Sequence, residues 1–227
     1  MWSGVFHMNK TMSLLKTQVL DLGTIDYAQA YPLQKSHVQQ VLSQDIQTLL
    51  LCEHPPVITL GRLADEKNLL VSSHLIKERG VSLYPIDRGG DITLHAPGQL
   101  VVYPIFDLRH YGKDLHLFLH KLEQVIIDLL ADFGIVAGRQ SGRTGVWYQD
   151  QKIASLGIGV RQWVSYHGFA VNINTDLNLF SLIKPCGLDV SMTSMAKIKG
   201  RIYPMEEIKE KVIQQMTQHF NLQTQGS

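Results

Sequence analysis

The sequence predicts an α+β domain built on a mixed central β-sheet with helices flanking it. Short apolar segments crowd the middle of the chain, and turns containing glycine or proline separate them with few helices in between. A regular alternation of strand and helix, which would give a parallel sheet, is therefore not expected. The 227 residues fit a single domain, 1–227, on a scale of roughly 100–200 residues per domain. Residues 1–12 have no anchor in this pattern and are expected to be loosely ordered.

Helices are expected where apolar residues recur every three or four positions between recognisable ends. In the clearest case Asp114 is the expected N-cap and Gly134 ends the helix. Asp26 is expected to cap an earlier helix, and Pro204 opens the last one. The four expected helices cover residues 27–41, 73–79, 115–133 and 205–220.

Strands are expected where short apolar runs are stopped by turn residues. The run at 48–53 ends before Pro55 and Pro56, so it predicts a buried strand. Arg161 and Gln162 are expected at the turn of a hairpin between the two longest strands. The expected strands are 48–53, 57–60, 82–86, 100–106, 145–148, 153–161 and 163–174.

Charge and cysteine content argue against several classes of protein. The formal net charge of +1 lacks the strongly positive face with which nucleic-acid-binding proteins neutralise phosphates. No apolar run approaches the roughly 20 residues of a membrane helix, and the N-terminal segment does not resemble a secretory signal. Two cysteines do not make a disulfide framework, so a reducing cytoplasm is the expected location.

The short motifs of ATP, NAD and zinc chemistry are missing. The sequence has no G-x-x-x-x-G-K-[ST] phosphate loop, no G-x-S-x-G nucleophile elbow and no C-x-x-C pair. His116 and His120 lie four residues apart on the long predicted helix and can share a face, but no third ligand accompanies them. We interpret them as solvent-facing residues, and expect no metal site and no cofactor.

The two cysteines differ in their surroundings. Cys52 follows three leucines in the predicted buried strand, where a cysteine behaves as a small apolar residue. Cys186 lies between Pro185 and Gly187, in a turn that can present the sulfur to a pocket. A cysteine in a loop is also often an incidental residue, because reactivity depends on its environment.

Lys152 begins a strand of otherwise apolar and small residues. One interpretation is a strand-end lysine in solvent, since lysine is seldom buried. The other is a lysine at the floor of a pocket, where a cysteine partner and the lysine perturb each other. The segment from Arg88 to Gln99 carries glycines that let a backbone approach a ligand, although a tight hairpin would explain them too.

Several longer motifs follow one another along the chain. They read EHPPVITLGR at 53–62, RGGDITLH at 88–95, PGQ at 97–99, GRTGVW at 142–147, KIAS at 152–155, HGFA at 167–170, NINTD at 172–176, PCG at 185–187 and TS at 193–194. In this order they resemble the lipoyl(octanoyl) transferase family, of the superfamily of biotin and lipoate ligases. The resemblance runs from about Asp26 to Lys197. Leu94 and Ala96 depart from it, standing where the family usually has an aromatic residue and a glycine.

The resemblance implies the biotin/lipoate ligase-like catalytic fold, with a small second sheet. It implies transfer of an octanoyl or lipoyl group from acyl carrier protein to a lysine of a lipoyl domain, in lipoate biosynthesis. The acceptors would be the lipoyl domains of 2-oxoacid dehydrogenase complexes and the glycine cleavage H protein. Cys186 would carry the acyl group as a thioester, and Lys152 would favour its thiolate.

The same resemblance implies which residues line the pocket for the acyl group and its donor. His95, His167 and Thr193 are expected near the nucleophile. Arg139, Arg143 and Lys184 flank these segments and are expected to dock an acidic carrier protein. The pocket-lining residues are Arg88, Gly89, Gly90, Asp91, Ile92, Thr93, Leu94 and His95, then Ser155, Leu156 and Gly157, then Gly168, Phe169 and Ala170.

Two other functions are compatible with parts of the sequence. An ATP-dependent lipoate or biotin ligase on the same fold would use Lys152 to hold an adenylate phosphate and would not need Cys186. The G-R-G-R-x-x run of biotin ligases is absent. A catalytically dead module that binds lipoyl domains or acyl carriers is the third possibility, and the presence of both Cys186 and Lys152 argues against it.

Overall fold

The computed structural model describes residues 14–185 and 190–225. This part of the chain forms one large sheet of eight strands, a small sheet of three strands, and five helices. The architecture confirms the expected α+β class with a mixed central sheet and a small second sheet. No helix within these residues has the length and apolar character that crossing a lipid bilayer requires.

Helices and strands alternate irregularly along the chain. The helices are α1 (Tyr27–Gln44), α2 (Ser73–Glu78), α3 (Leu115–Asp132), α4 (Met195–Lys199) and α5 (Met205–Phe220). The strands are β1 (Leu15–Thr24), β2 (Gln47–Glu53), β3 (Val57–Leu60), β4 (Ser82–Pro85), β5 (Ile92–His95), β6 (Gln99–Ile105), β7 (Gly138–Gln140), β8 (Arg143–Tyr148), β9 (Gln151–Arg161), β10 (Val164–Asn172) and β11 (Leu222–Gln225).

The large sheet has the strand order β11-β1-β2-β6-β10-β9-β8-β7. Strand β1 pairs in parallel with β11 and β2, and the other neighbours pair antiparallel. The small sheet has the order β4-β3-β5, with one parallel and one antiparallel pair. Strands β6, β10 and β9 are therefore interior strands of the large sheet.

Strand β2 is buried on both faces of the large sheet. Leu49 and Leu51 pack in the core with α3 and α5, whereas Leu50 and Cys52 pack on the opposite face with α1. A strand covered on both faces reads as a continuous apolar run rather than an alternating one. Each such side chain removed from water contributes about 1.5–3 kcal/mol before entropy is counted.

The main core lies between the large sheet and the pair α3 and α5. Asp114 caps α3 as expected, because its side chain accepts a hydrogen bond of 2.9 Å from the amide of Leu117. Phe118 and Phe220 meet edge to face at 5.5 Å between ring centroids and join the two helices.

The start and the end of α1 differ from the expectation. Asp26 occupies the predicted N-cap position, but its side chain makes no capping hydrogen bond. Instead its backbone carbonyl accepts from the amide of Ala30, and the buried side chains of Tyr27 and Ala30 anchor the first turn. The helix continues three residues past Val41, to Gln44.

The predicted hairpin between β9 and β10 is confirmed, with the turn one residue further along. Gln162 and Trp163 both have positive φ, at 50° and 66°. Two consecutive residues of this kind form the type I′ turn that matches the twist of antiparallel strands. Trp163 therefore belongs to the turn and not to the strand, and β10 begins at Val164.

Five short or peripheral elements have no counterpart in the sequence prediction. Strands β1 and β11 pair with each other at one edge of the large sheet, and β7 forms the opposite edge. Strand β5 belongs to the small sheet, and helix α4 precedes α5 in the chain.

Candidate functional site

A cavity lies between the large sheet, the small sheet and the start of α1. The cavity is narrow, because the space that it leaves for the centre of a water-sized molecule is ≈ 40 Å³. Nine of the fourteen residues that the sequence assigns to a pocket line it. The lining residues are Tyr27, Arg88, Thr93, His95, Val101, Tyr103, Ser155, Leu156, Gly157, His167, Gly168, Phe169 and Ala170.

Strand β5 exposes only every second residue to the cavity. Thr93 and His95 line it, whereas Ile92 and Leu94 pack in the core of the small sheet with Ile58. Side chains of the expected stretch therefore face the cavity in alternation, because successive side chains of a strand point to opposite faces. The unusual Leu94 therefore shapes the small-sheet core and not the cavity wall.

The loop before β5 approaches the large sheet closely. The amide of Gly89 donates to the carbonyl of Ile158 at 3.1 Å. A Cβ at Gly157 would lie 3.1 Å from the carbonyl oxygen of Gly89 and 3.2 Å from Cδ of Arg88, so a larger residue would push the loop away. Arg88 is buried and donates to both oxygens of Thr59 at 3.1 Å, which ties the loop to β3.

Gly90 and Asp91, also in this loop, make contacts within the protein rather than line the cavity. The two carboxylate oxygens of Asp91 accept from the amide of Asp65 and from Nδ2 of Asn68. Gly90 packs against Gly61, where a Cβ would come within 2.3 Å of the Gly90 carbonyl oxygen. The sequence prediction that Gly89, Gly90 and Asp91 line the pocket is therefore not matched by the lining residues.

The cavity has a nearly neutral lining. Burial lowers the pKa of His95 to about 3 and the pKa of His167 to about 4, so both imidazoles are uncharged at neutral pH. Burial also raises the pKa of Tyr27, which keeps its phenol protonated. Among the lining residues, Arg88 is the one with a formal charge at pH 7. Such a lining suits an uncharged, extended group.

Asp87 ties the cavity-lining loop to α1 and β10. Its carboxylate accepts hydrogen bonds from Tyr31 at 2.7 Å, Lys35 at 2.7 Å, Tyr166 at 2.9 Å and His167 at 3.1 Å. Burial alone would raise the pKa of Asp87, but these donors outweigh it and hold the pKa well below its usual range. The ionised carboxylate therefore fixes the orientation of His167 at the cavity.

Lys152 is turned by a bulge in β9. Trp147 of β8 pairs with Lys152, but the preceding Val146 pairs with Ala154, so Ile153 is an extra residue. A bulge of this kind re-aims the neighbouring side chain. Ile153 and Ala154 both pack in the core with α3 and α5, whereas Lys152, only 2% exposed, lies over the Trp147 ring at 5.4 Å from its centroid.

The segment at 191–193 runs beside Lys152. The amide of Lys152 donates to the carbonyl of Ser191 at 2.9 Å, and the amide of Thr193 donates to the carbonyl of Lys152 at 3.0 Å. Ser191 follows Cys186 by five positions in the sequence. Cys186 itself, with residues 187–189, lies outside the described part of the chain.

Gly145 makes room for the Lys152 side chain. A Cβ at this position would lie 2.5 Å from Cε of Lys152 and 2.8 Å from the carbonyl oxygen of Ala154. The residue also has a φ of 133°, which L side chains rarely adopt, and its amide donates to the buried Glu123 at 3.1 Å. This glycine belongs to the GRTGVW motif at 142–147, and the sequence alone does not indicate its role.

The Gly145→Ala variant is expected to move Lys152 and strain β8. A displacement of about 1 Å in a catalytic group lowers rates by about 10²-fold, and a strained backbone position costs about 1–3 kcal/mol. Steady-state octanoyl transfer and thermal unfolding would measure the two effects. Gly138→Ala is the matched control, because a Cβ there meets nothing within 4 Å; equal losses in both variants would contradict the steric explanation.

Cys52 is buried and His116 and His120 face solvent, as the sequence predicts. Burial raises the pKa of the Cys52 thiol well above its usual range, which leaves it unreactive. His116 and His120 are exposed on α3. In residues 14–185 and 190–225, the cluster of three possible metal ligands is Asp45, Asp107 and His110, away from the cavity lining, and it does not include either histidine.

Two of the three basic residues expected to dock a carrier already contact groups of this chain. Arg143 donates to Oε1 of Gln140 at 3.3 Å and lies over the Trp147 ring. Arg139 donates to Glu123 at 2.9 Å, to Gln124 at 3.1 Å and to the carbonyl of His120 at 2.7 Å. These bonds hold the arginine against α3, where it supports Glu123 beneath Gly145. Arg143 and Lys184 are exposed.

Sequence reasoning missed three cavity-lining residues. Val101 and Tyr103 alternate along β6, and Tyr27 starts α1. The phenol of Tyr103 lies 2.7 Å from Nε2 of His54, whose Nδ1 lies 2.6 Å from the carbonyl of Ile25. Val101 and Tyr103 share one face of β6, but this strand is a continuous apolar run that does not mark either residue in the sequence. The position of Tyr27 depends on tertiary packing.

Known proteins match this chain over most of its length. Residues 26–217 match the lipoyl protein ligase A/B catalytic domain. The chain is 42% identical over 210 residues to an octanoyltransferase of Thermoanaerobacter sp. strain X514, covering 91% of each protein. It is 46% identical over 203 residues to an octanoyltransferase of Solibacter usitatus, covering 88% of this chain and 89% of that protein.

The fold agrees with a more distant solved structure. A bipartite lipoate protein ligase of Thermoplasma acidophilum, studied with its E2 lipoyl domain, superimposes with a TM-score of 0.73 at 13% identity. The match covers 94% of this chain and 86% of that one. The chain belongs to the lipoyl protein ligase A/B catalytic domain family, among its octanoyltransferase members.

Proposed function

We propose that this chain is an acyltransferase that moves an octanoyl group from acyl carrier protein to a lysine of a lipoyl domain, in lipoate biosynthesis. A lipoyl group would fit the same reaction. The observation that carries the proposal is a cavity with a nearly neutral lining on β9, the strand that also carries the buried Lys152. The identity of 42–46% to octanoyltransferases over about nine-tenths of the chain supports the same activity.

Cys186 is the proposed nucleophile and Lys152 the group that activates it. The Cys186 sulfur attacks the donor thioester carbonyl, its proton passes to Lys152, and the carrier thiol leaves with a proton. The acceptor lysine amine then attacks the new thioester, forms the amide, and releases Cys186 as the thiol. The first exchange replaces one thioester by another, so it needs no ATP.

The acyl chain is proposed to occupy the cavity between the two sheets. Val101, Phe169 and Ala170 supply apolar contact, and the neutral His95 and His167 add no charge that the chain would have to desolvate. An adenylate would bring a phosphate into the same neighbourhood, where Arg88 is already bonded to Thr59.

The proposed acceptors are the lipoyl domains of 2-oxoacid dehydrogenase complexes and the glycine cleavage H protein. The proposed compartment is the cytoplasm, where reducing conditions keep a catalytic thiol free.

Transfer without ATP or metal is the expected result of the simplest assay. The protein is mixed with octanoyl-acyl carrier protein and an unmodified lipoyl domain, after treatment with apyrase and EDTA, and the lipoyl domain is weighed by mass spectrometry. We expect it to gain one octanoyl group at the untreated rate. Modification only with free octanoate and ATP would instead establish a ligase, and no modification under either condition would leave a binding module.

A further inference from the structure

Buried amide hydrogen bonds connect the cavity to the strand at Lys152. Nδ1 of His95 lies 2.7 Å from Oε1 of Gln99, whose Nε2 lies 2.9 Å from Oδ1 of Asn172. Nδ2 of Asn172 lies 3.0 Å from the carbonyl oxygen of Thr193, the residue whose amide bonds Lys152. All three linking residues, Gln99, Asn172 and Thr193, are at most 3% exposed.

The donor and the acceptor of each bond in this series can be deduced from its last residue, Thr193. The Thr193 carbonyl can only accept, so Asn172 must donate from its NH₂ group and offer its oxygen to Gln99. Gln99 therefore donates to Asn172 and to the carbonyl of Leu94, at 2.9 and 3.3 Å. The reverse orientation would set the Gln99 oxygen against two acceptors. The oxygen of Gln99 thus faces His95, and Nδ1 of His95 must carry the proton.

The other ring nitrogen of His95 is consequently unprotonated. Burial holds the pKa of His95 at about 3, and the nearby His54, Arg88 and His167 lower it further when charged, whereas the bond to Gln99 acts in the opposite direction. The ring is parallel to Tyr27 at 6.1 Å and edge-on to His54 at 5.6 Å. Within the described residues Nε2 makes no hydrogen bond. Nε2 of His95 therefore carries an unused lone pair, on a side chain that lines the cavity.

We propose that His95 presents Nε2 to the cavity as a fixed acceptor for an N–H of the substrate, and that Gln99 and Asn172 are the positioning residues that fix this form. An unprotonated nitrogen repels the acyl carbonyl oxygen, so its partner is a donor. In the acyl transfer proposed above, on which this inference rests, that donor is the attacking lysine amine. His95 then orients the amine without storing its proton.

The inference predicts a division between the two half-reactions. Acyl loading involves no amine, whereas transfer to the lipoyl domain does. Gln99→Met keeps the bulk of the side chain but removes the acceptor for Nδ1, so both tautomers of His95 become available. We expect loading from octanoyl-carrier protein to remain within about two-fold, and single-turnover transfer to the lipoyl domain to slow by about 10-fold or more.

The tautomer itself is measured by long-range ¹H–¹⁵N correlation spectra of histidine-labelled protein. Loss of one spin system in His95→Gln assigns the His95 ring. We expect a protonated Nδ1 and an unprotonated Nε2 in the wild type, and a mixture in Gln99→Met. A protonated Nε2 in the wild type would overturn the inference.

A second pair of variants guards against a folding defect. In Asn172→Asp the carboxylate cannot donate to the Thr193 carbonyl, so the chain of bonds is broken at its other end. Asn174→Asp is the matched control. Asn174 also donates to a backbone carbonyl, that of Tyr203, but it does not belong to the series of hydrogen bonds from His95 to Thr193. Slowing of transfer alone in Asn172→Asp supports the inference; equal slowing of both half-reactions, or an equal effect in Asn174→Asp, rejects it.

The proposed function and the inference fail in different ways. A wild-type protein that gains no octanoyl group from the carrier would refute the acyl transfer. The tautomer spectrum does not depend on activity and decides the His95 assignment in either case.

Discussion

The Cys186→Ala variant is expected to lose octanoyl transfer by at least about 10³-fold, because removing a covalent nucleophile abolishes the route it provides. Cys52 is the one other cysteine of the sequence, so few thiols could receive the acyl group. Single-turnover transfer from octanoyl-carrier protein to a lipoyl domain measures the effect directly.

Cys52→Ala is the control for this experiment. Cys52 is buried on β2 in the core beneath α1, and burial raises the pKa of its thiol. The variant is expected to transfer at the wild-type rate, with a modest loss of stability from the small cavity. Full activity in Cys186→Ala would assign the nucleophile elsewhere.

Lys152→Arg is expected to lose about 10²–10⁴-fold in rate, the usual size of a general acid–base contribution. Arginine keeps a positive charge but does not lose a proton in proteins. Lys152→Ala is expected to lose a similar amount. The guanidinium is also larger than the ammonium, and Gly145 and Trp147 bound the space around the lysine.

The rate of Cys186 alkylation across pH separates charge from proton transfer. If the lysine takes the proton, iodoacetamide labelling shifts in both variants to the pH range of a free thiol, around 8.5. A low-pH labelling curve retained in Lys152→Arg would refute proton sharing and leave a purely electrostatic role. Lys211→Arg, on α5 and outside the cavity lining, is the control and should label as the wild type does.

The parts of the fold with strong local signals were predictable from sequence. Helix α3 has both ends marked by Asp114 and Gly134 and a continuous apolar face between them. Strand β2 is marked by an apolar run and the prolines that stop it. Strands β1 and β11 have no such signal, because few of their side chains are buried and the strands are defined by pairing, β11 with β1 and β1 also with β2.

Some features of the candidate site were also predictable from sequence, and others were not. Runs of glycine and small residues near 88–95, 155–157 and 168–170 indicate close approach of backbones, and these segments do meet at the cavity. Which residues of each run face the cavity depends on strand register, which is a tertiary property. The bulge at Ile153, which turns Lys152 away from the core of α3 and α5, has no local marker in the sequence.

Neutral histidines are another feature that composition does not reveal. His95 and His167 would titrate near pH 6.5 in water, and only their burial in the cavity wall lowers both pKa values to about 3 and 4. The orientation of His95 depends on Gln99 and Asn172, which are adjacent only because β6 and β10 pair.

The most direct test of the account is the mass of the protein after incubation with octanoyl-acyl carrier protein alone. The wild type and Cys52→Ala are each predicted to gain one octanoyl group, which hydroxylamine removes and which peptide mapping places on Cys186. An octanoyl adduct of the same size on Cys186→Ala, or none on the wild type, would contradict the covalent mechanism.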